Sequence, residues 1–351
     1  MEKKIGYGVL GLGVGRAHVI GALKSQGVGF VAICDANEQR LHKVGDEFNI
    51  PAENRFVKFE DMLARPDIDI VSVCTPSGLH GQLTIQALKA GKHVMTEKPL
   101  EITLERIDEM VQTAEREGRY LGCVFQNRLE EGNKKIKETV ASGRIGKPIL
   151  CNFELKWFRS ADYYKASGGW RGTWAMDGGG AMMNQTIHTV DLMQWIMGPV
   201  KSVFAKTGTY NHDIETEDTA VAVVTFENGA IGTLVGTTCA YPDGDVAYHI
   251  HGSDGTLSVR NNKIEKFLLA DDPERKEQAD VLARYGANPT VPREESPIPK
   301  YGHAGQIQDM VSAVLENRPP LIQGKDGRPA VEIILALYES AKTGKEVFLP
   351  L

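Results

Sequence analysis

The chain has 351 residues, 42% of them hydrophobic and 25% charged. That length points to two domains, and that composition excludes a disordered or low-complexity chain. A net charge of −6 leaves no basic excess for neutralising a phosphate backbone, so nucleic acid is excluded as an expected partner.

Met1–Leu12 carries two lysines, but its apolar stretch is broken by Gly6, Gly8 and Gly11 and does not read as an export signal. No run reaches membrane-spanning length, so no membrane is expected. Cys34, Cys74, Cys123, Cys151 and Cys239 stand singly, without a Cys-x-x-Cys pair. They read as reduced, buried thiols of a cytoplasmic protein, and no metal site is expected on them.

In chain order, Lys4–Leu10, Phe30–Asp35, Ile70–Thr75, His93–Glu97 and Tyr120–Phe125 are short β-branched runs that predict buried parallel strands. Amphipathic stretches lie between them. Leu79–Ala90 and Leu104–Glu117 are the clearest, and each ends at a glycine, Gly91 or Gly118, as helices do. The alternation predicts an α/β fold, an N-terminal doubly wound parallel sheet of Rossmann type.

After about Gln126 the rhythm changes. A helix over Glu131–Ala141 and a Gly146-Lys147-Pro148 break precede longer strands at Ile149–Trp157, Val200–Thr209, Thr219–Phe226 and Ala230–Thr238. Glu227-Asn228-Gly229 and Ser253-Asp254-Gly255 mark turns, so the second half is expected to hold a large, mostly antiparallel sheet. Helices are expected over Gly180–Met197, Ala304–Glu316 and Pro329–Thr343, and Asp271–Lys300 as a long surface excursion. Together these make an α+β domain. The division predicted is 1–126 for a dinucleotide-binding domain and 127–351 for a substrate-binding and oligomerisation domain.

Between the first strand and first helix stands Gly11-Leu12-Gly13-Val14-Gly15-Arg16. Glycines there let the backbone turn tightly against a pyrophosphate, whose charge rests on the helix N-terminus. Asp35 follows at the end of the second strand, near the roughly 20-residue spacing expected of a carboxylate that accepts from the adenosine ribose. It would repel a 2′-phosphate, which favours NAD over NADP. The third glycine of the usual fingerprint is replaced by Arg16, which is expected to contact the pyrophosphate itself.

The ends of the fourth and fifth strands carry Thr75-Pro76-Ser77-Gly78-Leu79-His80 and Glu97-Lys98-Pro99. With the glycine loop, they resemble the glucose–fructose oxidoreductase, inositol dehydrogenase and rhizopine-catabolism (Gfo/Idh/MocA) family, whose members carry a Thr-Pro-x-x-x-His loop and a Glu-Lys-Pro turn. The resemblance continues through Gly178-Gly179-Gly180, Asn184, His188 and Asp191, and through Asp326-Gly327-Arg328. It implies an NAD-dependent dehydrogenase acting on a secondary alcohol of a sugar, sugar derivative or polyol. Cofactor contacts are then expected from Gly11, Gly13, Val14, Gly15, Arg16, Asp35, Thr75, Pro76, His80, Glu97, Lys98 and Gln126.

A nicotinamide lying across the strand ends would crowd the Lys98 ammonium and move it toward the range useful for proton transfer. Asn184, His188 and Asp191 are spaced four and three apart, as residues sharing a helix face are. By the resemblance His188 is the acid/base that works with Lys98. Many members have an aspartate at the place of Asn184; an amide cannot accept the proton, so the base is His188 or Lys98 and Asn184 positions the substrate.

Trp157 to Tyr164 and Trp170 to Trp174 concentrate aromatic and arginine side chains suited to sugar faces and hydroxyl edges. Arg159, Tyr164, Trp170, Arg171 and Trp174 are the substrate candidates there, with Asn127 beside Lys98, Asn184 and His188; His303 is a weaker one. The composition looks like that of nucleotide-sugar and glycoside-oxidising members. Two other functions fit the same cofactor fold: a glycosidase that oxidises its sugar transiently, and a non-enzymatic NAD-binding regulator. A homodimer or homotetramer is expected, because the antiparallel sheet leaves a broad face to cover.

Overall fold

A computed structural model describes residues 3–166, 168–291, 296 and 298–351. It divides into two compact units, one formed by Met1–Leu129 with Ser296–Arg328, the other by Glu130–Glu295 with Pro329–Leu351. Among the described residues no helix is long and apolar enough to cross a membrane.

The first unit holds β1 (Ile5–Leu10), β2 (Val28–Cys34), β3 (Arg55–Phe56), β4 (Ile70–Val73), β5 (His93–Thr96) and β6 (Leu121–Cys123). All pairs are parallel, in the order β3-β2-β1-β4-β5-β6. This is the doubly wound order, with the switch point between β1 and β4. Helices α1 (Gly15–Lys24), α2 (Glu38–Glu47), α3 (Phe59–Leu63), α4 (His80–Lys89) and α5 (Leu104–Arg116) connect the strands.

The second domain is not the contiguous 127–351 expected from the sequence. The helix Gly302–Leu315 returns to the first unit, where Ile307, Met310 and Val311 join Ile5, Tyr7, Val9 and Val19 in one core. Gly21 permits this approach: a Cβ there would stand 2.5 Å from Ile307 Cδ1.

The second unit is built on an eight-stranded sheet ordered β13-β12-β11-β7-β10-β9-β8-β14. Its strands are β7 (Pro148–Lys156), β8 (Val200–Gly208), β9 (Thr219–Phe226), β10 (Ile231–Thr237), β11 (Val246–Gly252), β12 (Gly255–Arg260), β13 (Lys263–Leu269) and β14 (Val347–Phe348). Among the described residues, β7 and β10 are the one strand pair of this sheet that runs in parallel. One face is buried through Phe153, Val203, Ala222, Val224 and Leu234. Residues alternating with these on the other face stay open, among them Val223 at 51% and Phe204 at 41% exposure.

The predicted helix 180–197 is divided: a π-helical turn spans Ala181–Thr186 and an α-helix runs over Ile187–Met197. The excursion expected over 271–300 holds a helix of its own, Lys276–Tyr285.

Candidate active site

At the carboxyl edge of the first sheet, β1 runs into Gly11, whose φ of 86° disfavours any side chain. A Cβ there would stand 2.6 Å from the Cys74 carbonyl oxygen, whereas one built at Gly13 would meet nothing within 4 Å. The loop is therefore closed on its inner side and bare on its outer side, where α1 begins at Gly15 and Val14 is exposed. Asp35 ties this loop to the next. Its Oδ2 accepts the Leu12 N–H at 2.9 Å and its Oδ1 the Asn37 N–H at 2.8 Å, while Arg40 lies 3.3 Å away.

Arg16, expected at a pyrophosphate, is turned to Glu47, with its guanidinium 5.3 Å over the Phe48 ring.

The Thr75-Pro76 and Lys98-Pro99 loops are braced by His80. Its Nδ1 lies 2.7 Å from the Pro99 carbonyl oxygen and its Nε2 2.8 Å from that of Thr75. Burial pushes the imidazole pKa down, and the two carbonyls oppose that shift. With both ring nitrogens against backbone, His80 holds the loops that carry Thr75, Pro76 and Lys98.

Glu97 is buried beneath Lys98. One oxygen lies 3.0 Å from His18 Nε2 and 3.3 Å from His303 Nε2; the other accepts the Lys98 N–H at 3.0 Å. Burial works against its charge, but the two histidines hold the carboxyl well below the usual range. His18 Nδ1 continues to Ser72 Oγ at 2.8 Å, and Ser72 to the Tyr7 hydroxyl at 2.7 Å. His18, in the first turn after Gly15, is a site residue that only its place beside the glycine loop could signal in the sequence.

Thr75 Oγ1 and Gln126 Oε1 are buried at this edge with no hydrogen-bond partner among the described residues. Buried polar atoms without partners are uncommon, and a dinucleotide with its hydroxyl and amide groups could satisfy both. Asn127 follows Gln126 in a short 3₁₀ turn. The residues of this edge fit NAD.

In the second unit Asn184 lies in the π-helical turn and His188, half-buried, is the second residue of the α-helix that follows. Such turns recur at functional sites. Glu217 secures the start of this helix: its oxygens accept the Gly180 N–H at 3.0 Å, the Met182 N–H at 2.8 Å and the Tyr338 O–H at 3.0 Å. Burial pushes its pKa up to about 7.

Asn184 Nδ2 donates to Asp177 Oδ1 at 2.5 Å, and the other Asp177 oxygen accepts the Gly172 N–H at 2.9 Å. A buried carboxylate thus borders the amide that stands where many family members carry an aspartate. Tyr163 O–H donates to Asn184 Oδ1 at 3.2 Å and accepts from Gln185 Nε2 at 2.7 Å; Arg159 donates to Gln185 Oε1 at 3.0 Å. Asp177, Tyr163 and Gln185 were not among the sequence candidates.

Of the aromatic candidates, Tyr164 is a buried brace, its hydroxyl 2.9 Å from Thr238 Oγ1 and its ring 4.8 Å from that of His212. Trp174 donates from its backbone and its indole to Glu215, both at 3.1 Å. Trp170 lies under the Arg171 guanidinium, 5.4 Å from it. Tyr164 and Arg171 line a cavity of about 420 Å³.

Residues 5–125 match the oxidoreductase family with an NAD-binding Rossmann fold, and residues 133–258 match the GFO/IDH/MocA C-terminal domain. This chain belongs to the Gfo/Idh/MocA oxidoreductase family. The myo-inositol 2-dehydrogenase of Thermotoga maritima is 28% identical, over 97% of this chain and 98% of its own. The WlbA dehydrogenase from Bordetella pertussis, solved in complex with NADH and UDP-GlcNAcA, is 30% identical, covers 100% of this chain and 99% of its own, and superposes with a TM-score of 0.89. An aldose-aldose oxidoreductase from Caulobacter crescentus is 25% identical over 99% of this chain and 100% of its own, with a TM-score of 0.81. As a Gfo/Idh/MocA member, the chain is an NAD-binding oxidoreductase whose first unit takes the cofactor.

Proposed function

We propose that this oxidoreductase transfers a hydride between NAD and a secondary alcohol of a sugar, sugar derivative or polyol, with Lys98 and His188 serving the hydroxyl proton. The observation that carries the reading is the edge where Thr75 Oγ1 and Gln126 Oε1 lack partners and where His80 and Glu97 hold the loop bearing Lys98. The relatives' inositol and sugar substrates support the substrate class. Oxidising such an alcohol to a ketone removes a hydride, which NAD accepts, and a proton, which the protein must manage. His188 takes the proton, Lys98 orients the oxygen, and Asn184 positions the neighbouring hydroxyl.

Purified chain supplied with NAD should form NADH, read by its absorbance, with at least one class among polyols, free sugars, glycosides and nucleotide sugars. Release of an aglycone without NADH would replace this reading by a glycosidase that oxidises its sugar transiently. NAD binding without either product would leave a regulator.

Two copies are proposed to join through the open face of the second sheet. Val221, Val223 and Ile231 are each about half exposed there, at 48%, 51% and 53%, with Phe204 paired beside Val223. Several exposed apolar side chains on one sheet face are a feature of interaction surfaces. Light scattering should give a dimer or tetramer, and Val223→Lys with Ile231→Glu should reduce its mass; a wild-type monomer at micromolar concentration would reject the interface.

A further inference from the structure

Most arginines in this chain have a carboxylate to face: Arg16 meets Glu47, Arg65 meets Asp67, and Arg144 meets Asp271 and Glu277. Arg159 and Arg171 do not; among the described residues neither has a carboxylate within ion-pair distance. Both instead lie over one phenol ring. The Arg171 guanidinium is 4.2 Å and that of Arg159 5.4 Å from the centroid of Tyr163. Arg159 is also 4.6 Å over Trp157, and Arg171 5.4 Å over Trp170.

These cations are held firmly. Arg159 donates to the Phe158 carbonyl at 3.1 Å and to Gln185 Oε1 at 3.0 Å. Its own carbonyl lies 2.7 Å from His212 Nε2, whose other nitrogen is 3.1 Å from the buried Asp218 carboxylate. Arg171 donates from one terminal nitrogen to the Tyr163 carbonyl at 3.2 Å, but its Nε is buried and has no partner. An unsatisfied buried donor on a cation is costly, and two like charges sharing one ring repel. A ligand carrying anionic oxygens removes both penalties, because a guanidinium fork matches a carboxylate or a phosphate.

We infer that Arg159 and Arg171 bind an anionic group, carboxylate or phosphate, on the sugar that this enzyme handles. This rests on the reading of the chain as a sugar oxidoreductase and narrows its substrate to acidic sugars. The location supports the link: Tyr163 donates to Asn184, and Arg159 to Gln185, on the helical segment that leads to His188. The cavity beside Arg171 is also lined by Lys165, Asp213 and Glu215. Its two carboxylates suit the hydroxyls of the same ligand as acceptors, and Glu215 already accepts the Trp174 N–H.

Calorimetric titration of the NAD-saturated full chain with methyl glucuronide, glucose 1-phosphate and methyl glucoside tests this. At least one anion should bind about tenfold or more tightly than the neutral glycoside, with the difference shrinking in salt. The anion that does so identifies the group. Arg159→Gln and Arg171→Gln should each cost about tenfold in anion affinity, and Arg171→Lys, which keeps charge but not the fork, should recover part of it. Melting temperatures within a few degrees of wild type would verify folding. Equal binding of all three ligands, binding of none, or anion affinity that survives the double Gln variant overturns the inference. Turnover of neutral sugars without anion preference would sink it and leave the oxidoreductase reading standing; anion binding without NADH formation from any sugar would do the reverse.

Discussion

Lys98→Met and His188→Asn should each lower kcat by about two to four orders of magnitude, the range in which a positioned acid or base contributes, while leaving the NAD dissociation constant within about threefold. The separation of the two effects follows from where the side chains originate. The phosphate loop is held by Asp35 through the Leu12 N–H, a bond in which neither residue takes part. The Lys98 backbone is held by Glu97 whatever its side chain is, and His188 lies on a helix anchored by Glu217. Asn184→Ala should cost less, on the order of tenfold, because an amide can orient a hydroxyl but cannot take its proton. Steady-state kinetics beside titration with NADH fluorescence would check this. If both variants of the proposed proton carriers kept kcat within about tenfold of wild type, the chemistry would have to lie elsewhere.

Most parallel strands of the first unit are legible because they are short apolar runs, largely buried and bounded by a glycine or by a motif loop. β3 is not, since Arg55-Phe56 is too short to show any period. The helix Lys276–Tyr285 escapes for another reason: Val281 is its only buried residue, so it has no apolar stripe. The apolar stripe of Gly302–Leu315 is plain in the sequence, yet a stripe says that a helix packs and not against which core. The candidate site follows the same rule. Motifs name Glu97, His80 and Asn184, but their roles depend on partners that no motif names. Glu97 meets His18 and His303, and Asn184 meets Asp177. Arg16 follows the same rule, because no spacing announces its contact with Glu47, 31 residues further on.

Glu217→Gln should lose the fall in stability that wild type shows between about pH 5 and pH 8, so that the variant gains on wild type across that range by on the order of 3 kcal/mol. In the folded chain, burial keeps the Glu217 carboxyl protonated up to about 7, against an ordinary value of 4.5. Between those two values the native state binds more protons than the unfolded state, so the Glu217 contribution falls as pH rises through the window and is flat above it. An amide has no proton to lose, which removes this dependence, but its NH2 cannot accept, so a donor facing Glu217 loses its acceptor at a cost of about 1–3 kcal/mol at every pH. Glu217→Ala goes further. It deprives the buried Gly180 and Met182 N–H groups of their acceptor at every pH, costing about 1–3 kcal/mol for each, and loosens the helix that carries Asn184 and His188, so kcat should fall along with stability. Thermal denaturation of the three proteins across this range separates the two effects. A Glu217→Gln curve that merely parallels wild type from acid to alkaline pH would mean that this carboxyl does not titrate near neutrality. The start of the helix would then be anchored by an ordinary carboxylate, already charged when the chain folds.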